Sequence, residues 1–161
     1  MSTTLPDPRS SPLLRDFAHS LPMALLRTRE AVVQRFRVVL SRHGLTEQQW
    51  RILRALDERD GLEITLLADT CQILLPSMTG ILRRMESKGL IARHAHQSDG
   101  RSIRIALTEG AKALVEEIKP EIVQVYAEIE RILGGAKLAQ LYALLEELEE
   151  GLSAPQEERT G

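Results

Sequence analysis

Hydroxyl and cationic side chains recur between residues 77 and 88 in a spacing that suits contact with nucleic acid. The apolar residues of the segment LPSMTGILRRMESKG repeat at i, i+3, i+4 and i+7, as on one face of a helix: Met78, Ile81, Leu82 and Met85. The opposite face then carries seven small or polar residues: Ser77, Thr79, Gly80, Arg83, Arg84, Ser87 and Lys88. Hydroxyls can contact phosphates or base edges, and an arginine can donate to both O6 and N7 of guanine. The pattern predicts a helix that enters the major groove of DNA, with an ordinary solvated surface helix as the alternative.

Within that helix, Gly80 runs against local preference, because glycine destabilises a helix by about 1 kcal/mol relative to alanine. Close approach to DNA or to a neighbouring helix would offset this cost.

The segment that follows predicts a β-hairpin with a charged tip. LIARHAH and RSIRIAL alternate apolar and polar residues on either side of QSDG, where Gly100 can adopt the positive φ of a tight turn. Beside a helix in the major groove, the tip would lie over the adjacent minor groove, whose negative potential attracts Arg101. Phosphate repels Asp99, so we expect this carboxylate to orient Arg101 through a charge-assisted hydrogen bond. The alternative is a solvent-exposed turn with incidental charges.

Charge is distributed unevenly along the 161 residues, although the net charge is only −2. Between residues 83 and 104 two acidic residues, Glu86 and Asp99, accompany six cations: Arg83, Arg84, Lys88, Arg93, Arg101 and Arg104. Between residues 109 and 150 the balance reverses, with ten glutamates against four cations. A cationic middle beside an acidic C-terminal third indicates a nucleic-acid contact next to a segment with another role.

Local signals predict the elements that position these residues. Ser20 and Pro22 begin a first helix, Thr46 and Gln49 form a capping box for a second, and a short third helix begins near Ile64 or Thr65. The helix predicted to enter the major groove, called the recognition helix below, has Pro76 in its first turn and ends at Gly89. Thr108 caps a long fifth helix that contains Pro120, and the pair Gly134–Gly135 separates it from a last helix over residues 136–150.

The order of elements predicts the fold class. Four helices, a hairpin and two more helices make a mainly α protein with a small β-hairpin wing, a winged helix-turn-helix flanked by long dimerisation helices. The apolar stripes of the flanking helices have no partner within one winged domain, so a second copy of the chain is expected to bury them. The predicted boundaries are a disordered arm at 1–12, a helical dimerisation region at 13–44 and 109–152, a DNA-binding domain at 45–108, and a flexible tail at 153–161.

Composition excludes several function classes. The single Cys71 cannot form an internal disulfide, residues 1–12 lack an apolar signal region, and no apolar run approaches the roughly 20 residues of a membrane span. We therefore expect a cytoplasmic protein without a membrane partner. His94 and His96 share a strand face but have no third ligand at a suitable spacing, so no metal is expected. No nucleophile elbow, phosphate-binding loop or paired catalytic carboxylates occur, which predicts neither an enzyme nor a cofactor.

Two segments together resemble a known family. LPSMTGILRRMESKGLIAR followed by SDGRSIRIALTEGA is similar to the MarR family of winged-helix regulators. The family's wing motif, Asp-x-Arg followed by Leu-Thr-x-x-Gly, is matched by Asp99, Arg101, Leu107, Thr108 and, one residue early, Gly110. LLRTREAVVQRFRVVLSRHGLTEQQWRILRAL resembles the branch that regulates homoprotocatechuate degradation operons. The resemblance covers residues 20–150.

This resemblance implies a homodimeric repressor that binds a palindromic operator and dissociates when a small aromatic acid binds. The effector surfaces would be the first helix, the start of the second, and the fifth. An aromatic carboxylate requires an arginine and an apolar or aromatic wall. The candidates on those elements, in order, are Arg29 and Trp50, then Arg15, Arg27, Arg51 and His19. Two alternatives remain open at this point: a redox-responsive regulator acting through Cys71, and a winged-helix protein-interaction module that does not bind DNA.

Overall fold

Six α-helices and three β-strands make up the part of the chain that the computed structural model describes, residues 16–95 and 103–153. After a short 3-10 turn at Phe17–His19, the elements follow in order. They are α1 (Leu21–Arg42), α2 (Glu47–Glu58), β1 (Leu62–Glu63), α3 (Ile64–Thr70), α4 (Leu75–Ser87), β2 (Ile91–Ala95), β3 (Ile103–Leu107), α5 (Glu109–Leu133) and α6 (Gly135–Ser153). The chain divides into two compact units that meet in sequence between Lys119 and Pro120.

The capping box predicted for α2 is present. The Thr46 side chain accepts a hydrogen bond from the Gln49 amide at 3.2 Å, and the Gln49 side chain accepts one from the Thr46 amide at 3.0 Å. These two bonds satisfy backbone donors that have no partner within the helix. One side of α2 is then buried, through Trp50, Ile52, Leu53 and Leu56.

The two faces of α4 separate as the apolar spacing predicts. All four apolar residues of the predicted core face, Met78, Ile81, Leu82 and Met85, are at most 3% exposed. Pro76 lies in the first turn, and Gly89 ends the helix with φ +69°. Because glycine adopts this left-handed conformation without a Cβ penalty, it suits this position.

A three-stranded antiparallel sheet in the order β1-β3-β2 replaces the simple hairpin of the sequence prediction. Strand β3 pairs with β2 from Ile91↔Leu107 to Ala95↔Ile103, as predicted, and on its other edge with β1 through Leu62↔Ile105 and Glu63↔Arg104. The Asp60 carboxylate, which accepts a hydrogen bond from the Leu107 amide at 3.2 Å, holds the chain beside this edge. A strand of two residues has too few positions to show an alternating pattern, so β1 was not predicted.

Thr108 connects the end of α4 to the start of α5. Its hydroxyl donates to the Gly89 carbonyl at 2.7 Å and accepts from the Ala111 amide at 3.1 Å. Its own amide donates to the Leu90 carbonyl at 3.2 Å. The predicted helix cap is therefore confirmed, and the same side chain also fixes the turn that ends the recognition helix.

The second unit contains the rest of α5 and the whole of α6. Helix α5 continues through Pro120, whose nitrogen carries no hydrogen to donate to the Glu116 carbonyl. Gly134, with φ +85°, separates the two helices as predicted, although α6 begins at Gly135 and extends to Ser153. No residue of α6 is buried.

The predicted cap of α1 by Ser20 is wrong. Ser20 occupies the residue before α1, but its hydroxyl donates to the Phe17 carbonyl at 2.9 Å, and its oxygen accepts no hydrogen bond from the first turn of α1. The arm at 1–12 and the wing tip at 96–102 lie outside the described residues, as does the predicted tail beyond Ser153.

No single helix in the described ranges is long and apolar enough to span a membrane. Helices α3 and α4, bent by 105° at their junction, reach that length and composition only when taken together.

Thr108→Ala should lower the free energy of unfolding by about 1 kcal/mol, because the change removes a helix N-cap. Urea titration measures this as a lower midpoint with an unchanged slope. Thr108→Ser, which keeps the hydroxyl, should keep most of the stability that Thr108→Ala loses. Thr70→Ala provides a matched control, since that hydroxyl only bonds the Leu66 carbonyl within α3. An equal loss in both alanine variants would contradict a special role for Thr108.

Candidate DNA-binding surface

The exposed face of α4 carries two arginines without acidic partners. Arg83 and Arg84 are both exposed, and neither forms an ion pair within residues 16–95 and 103–153. A Cβ atom added at Gly80 would lie 3.6 Å from Nη1 of Arg84, so that guanidinium lies close over the glycine. That distance is an ordinary van der Waals contact, so a Cβ would fit there, and close approach to DNA as the reason for Gly80 stays a prediction.

Most other cationic side chains in the described part of the chain form ion pairs or hydrogen bonds within the protein. Arg54 binds Asp57 and Glu58, Lys112 binds Glu109, and Lys119 binds Asp57. An unpaired arginine keeps its full hydrogen-bonding capacity for an external anion, such as a phosphate. Arg83 and Arg84 therefore differ from these cations in having no carboxylate partner in the described ranges.

The hydroxyl groups and the Lys88 amine on the same face differ in the hydrogen bonds that they form within the protein. Thr79 donates to the Leu75 carbonyl at 3.3 Å and Ser87 to the Arg84 carbonyl at 2.8 Å, so both side chains bond their own helix. The Lys88 amine lies 3.4 Å from the Gly44 carbonyl. Ser77 makes no hydrogen bond within the described ranges, which leaves its hydroxyl for an outside partner.

The base of the wing contributes fewer free charges than its composition indicates. Arg93 pairs with Glu86 of α4 at 3.0 Å, and Arg104 donates to the Gly61 carbonyl at 2.9 Å. Both arginines therefore hold the wing base in place. Asp99 and Arg101, the predicted minor-groove pair, lie outside the described residues.

Two of the candidate effector residues meet at a carboxylate that the sequence reasoning did not single out. Arg29 of α1 and Arg51 of α2 approach the same oxygen, Oε1 of Glu47, at 3.2 Å and 2.9 Å. The approach of Arg51 Nε is too bent for a hydrogen bond, and this buried atom has no other partner in the described ranges. The i, i+4 spacing of Glu47 and Arg51 is a helix ion-pair signal, so this half of the cluster was accessible from the sequence.

The other candidates do not join this cluster. Trp50 is only 8% exposed, Arg27 donates to the Ala18 carbonyl, and His19 bonds Asp16 at 2.7 Å with most of its side chain exposed. Arg15 lies outside the described residues.

Cys71 is buried at the end of α3. Burial raises the pKa of its thiol, and the positive charge of Arg51 offsets this only in part. Since the thiolate is the nucleophile, a raised pKa keeps the group in its unreactive form at neutral pH.

His94 is exposed on β2, and His96 lies outside the described residues. No group of three or more His, Cys, Asp or Glu side chains that could hold a metal ion occurs within the ranges that the structure covers.

Comparison with known proteins agrees with this geometry. Residues 45–103 match the MarR family. The chain is similar to the homoprotocatechuate degradative operon repressor of Escherichia coli, with 44% identity over 128 residues, which are 80% of this chain and 86% of that protein. This relative is a transcriptional regulator and not an enzyme.

Two solved structures share the fold. NadR in complex with 4-hydroxyphenylacetate has a TM-score of 0.73 and 39% identity, over 81% of this chain and 96% of that one. The transcriptional repressor CouR bound to a 23-mer DNA duplex has a TM-score of 0.76 and 27% identity, over 84% of this chain and 98% of that one. On these grounds, the chain belongs to the MarR family of transcriptional regulators and has its winged-helix fold.

Proposed function

We propose that this protein represses transcription by binding operator DNA through α4 and the wing, and that an aromatic carboxylate releases it. The observation that carries the proposal is the unpaired state of Arg83 and Arg84 on the exposed face of α4, opposite a fully buried face. Free guanidinium groups on a rigidly packed helix are suited to phosphates and to guanine edges in a major groove. The proposed contact residues are Ser77, Thr79, Gly80, Arg83, Arg84, Lys88, Asp99 and Arg101.

The proposed domain division assigns DNA binding to residues 45–108 and dimerisation to residues 13–44 and 109–152. Support comes from apolar side chains that remain exposed in a single chain, including Leu21 and Leu25 of α1 and Leu141 and Leu145 of α6. A second copy of the chain would cover such surfaces. A two-fold dimer presents two recognition helices about 34 Å apart, one turn of DNA, and therefore binds a palindromic operator.

For the effector, we propose a small aromatic acid held beside α1 and α2, by analogy with NadR and 4-hydroxyphenylacetate. The ligand's carboxylate would bind Arg29, with Arg51 close by and Trp50 at the wall. Arg15, Arg27 and His19 are the remaining candidates for this site. Since Glu47 already binds Arg29, the acid must either displace the Glu47 carboxylate or bind the Arg29 guanidinium together with it.

Release requires that the acid bind the DNA-free arrangement more tightly than the DNA-bound one. A 100-fold loss of operator affinity corresponds to about 2.7 kcal/mol of coupling, which lies within the usual range for allostery. By reciprocity, operator DNA weakens binding of the acid by the same factor.

Arg83→Ala and Arg84→Ala should each weaken binding to an operator duplex, by about 1–3 kcal/mol where a base contact is lost. Where only a phosphate contact is lost, the slope of log affinity against log salt should fall by about one unit per contact. Electrophoretic mobility shift at several salt concentrations measures both effects.

The matched control for these variants is Arg35→Ala, which removes an exposed arginine of α1 that forms no ion pair within the described ranges. The control should bind DNA with the affinity of the unaltered protein. If all three variants lose affinity equally, general charge and not α4 is responsible. If the unaltered protein binds no duplex, the protein-interaction alternative gains support.

Arg29→Ala should abolish release by aromatic acids while leaving DNA binding in their absence nearly unchanged. The structural cost is small, because the Arg29 side chain is 49% exposed and an exposed ion pair contributes about 1 kcal/mol or less. Operator titrations with and without 4-hydroxyphenylacetate, compared with Arg35→Ala, test this. If the variant still releases DNA at the concentrations of acid that release the unaltered protein, the carboxylate binds elsewhere.

The buried thiol leads to a further expectation. Because burial raises the pKa of Cys71, iodoacetamide at neutral pH should label the folded protein far more slowly than the urea-unfolded protein. Hydrogen peroxide should leave the mobility shift unchanged. A peroxide response that Cys71→Ala eliminates would favour the redox alternative instead.

A further inference from the structure

Two consecutive leucines are exposed where α4 begins. Leu74 is 79% exposed and Leu75 is 43% exposed. Leu74 occupies the N-cap position and makes no side-chain capping bond, although that position ordinarily favours Ser, Thr, Asp or Asn. The sequence thus gives up a stabilising cap and leaves apolar surface in water at the same residue. Local rules are broken in this way mainly at functional sites.

This leucine pair is continuous with the proposed DNA-binding face. Residues 75, 79 and 83 stand four apart on a helix, so Leu75 lies on the same side as Thr79 and Arg83. A recognition helix contacts base edges chiefly with its N-terminal residues. At those positions this chain presents Leu74, Leu75 and Pro76 ahead of Ser77, and only Ser77 can form a side-chain hydrogen bond.

We infer that Leu74 and Leu75 recognise thymine through its 5-methyl group in the major groove. The inference rests on the proposed function, since it requires α4 to enter that groove. A leucine side chain can neither donate nor accept a hydrogen bond, and the thymine methyl is the apolar group that base pairs present there. The operator positions that face the start of α4 are therefore read as A·T pairs. A protein partner fits this face less well, because the neighbouring Arg83 and Arg84 are unpaired and favour a polyanion.

The test uses a duplex selected by the unaltered protein from a randomised library. Each thymine is replaced in turn by deoxyuridine, which keeps the base pair and removes only the methyl group. At the thymines that face α4, affinity should fall about fourfold per methyl, the factor expected for one buried carbon. In Leu74→Ala and Leu75→Ala the same replacements should have a smaller effect, since the methyl and the leucine act as a coupled pair.

Leu66→Ala is the matched control, because Leu66 of α3 is 42% exposed, close to the value for Leu75. This variant should keep the full sensitivity to deoxyuridine. If the unaltered protein selects no duplex, the proposed function and this inference both fail. If it binds but no deoxyuridine replacement weakens binding, or the loss is equal in the leucine variants, only this inference fails. A change of sedimentation mass in Leu74→Ala would assign the leucines to a protein contact and also overturn it.

Discussion

One hydroxyl group connects the recognition helix to the helix that follows the wing. Thr108 bonds the Gly89 carbonyl in the turn after α4 and caps α5 at the Ala111 amide, so both ends of the hairpin are fixed at a single side chain. The position of α4 therefore depends on where α5 begins. A displacement of the first turn of α5 cannot be absorbed by a loose loop, because residues 108–111 are held by three hydrogen bonds.

Ion pairing decides which cations remain available to a ligand. Arg93 counts as basic in the sequence, yet Glu86 neutralises it, whereas Arg83 and Arg84 have no such partner within the described residues. In α2, Glu47 acts as an internal anion for Arg29. Arg83 and Arg84 thus remain available to an external anion, whereas Arg29 is paired with an internal carboxylate. These different states fit a rigid DNA contact and an exchangeable effector contact.

Structural features that depend on neighbouring residues in the sequence were predicted well, and features that depend on distant residues were not. The α4 core face and the Thr46–Gln49 capping box follow from spacing and chemistry within one or two helical turns. Strand β1 exists because it pairs with β3, more than 40 residues later, and its two residues carry no pattern of their own. Likewise, the i, i+4 part of the Glu47 cluster was visible in the sequence, but its contact with Arg29 requires α1 and α2 to pack. The roles of Asp99 and Arg101 remain predictions, since both residues lie outside the described part of the chain.

The division of α4 into a buried and an exposed face has an evolutionary consequence. Selection for a folded protein acts on Met78, Ile81, Leu82 and Met85, whereas selection on the proposed operator contact acts on side chains that contribute little to the core. After a gene duplication, one copy can acquire a new operator by exchanging exposed residues without losing stability. Regulators that share this fold can therefore diverge quickly in the genes they control while their interiors change slowly.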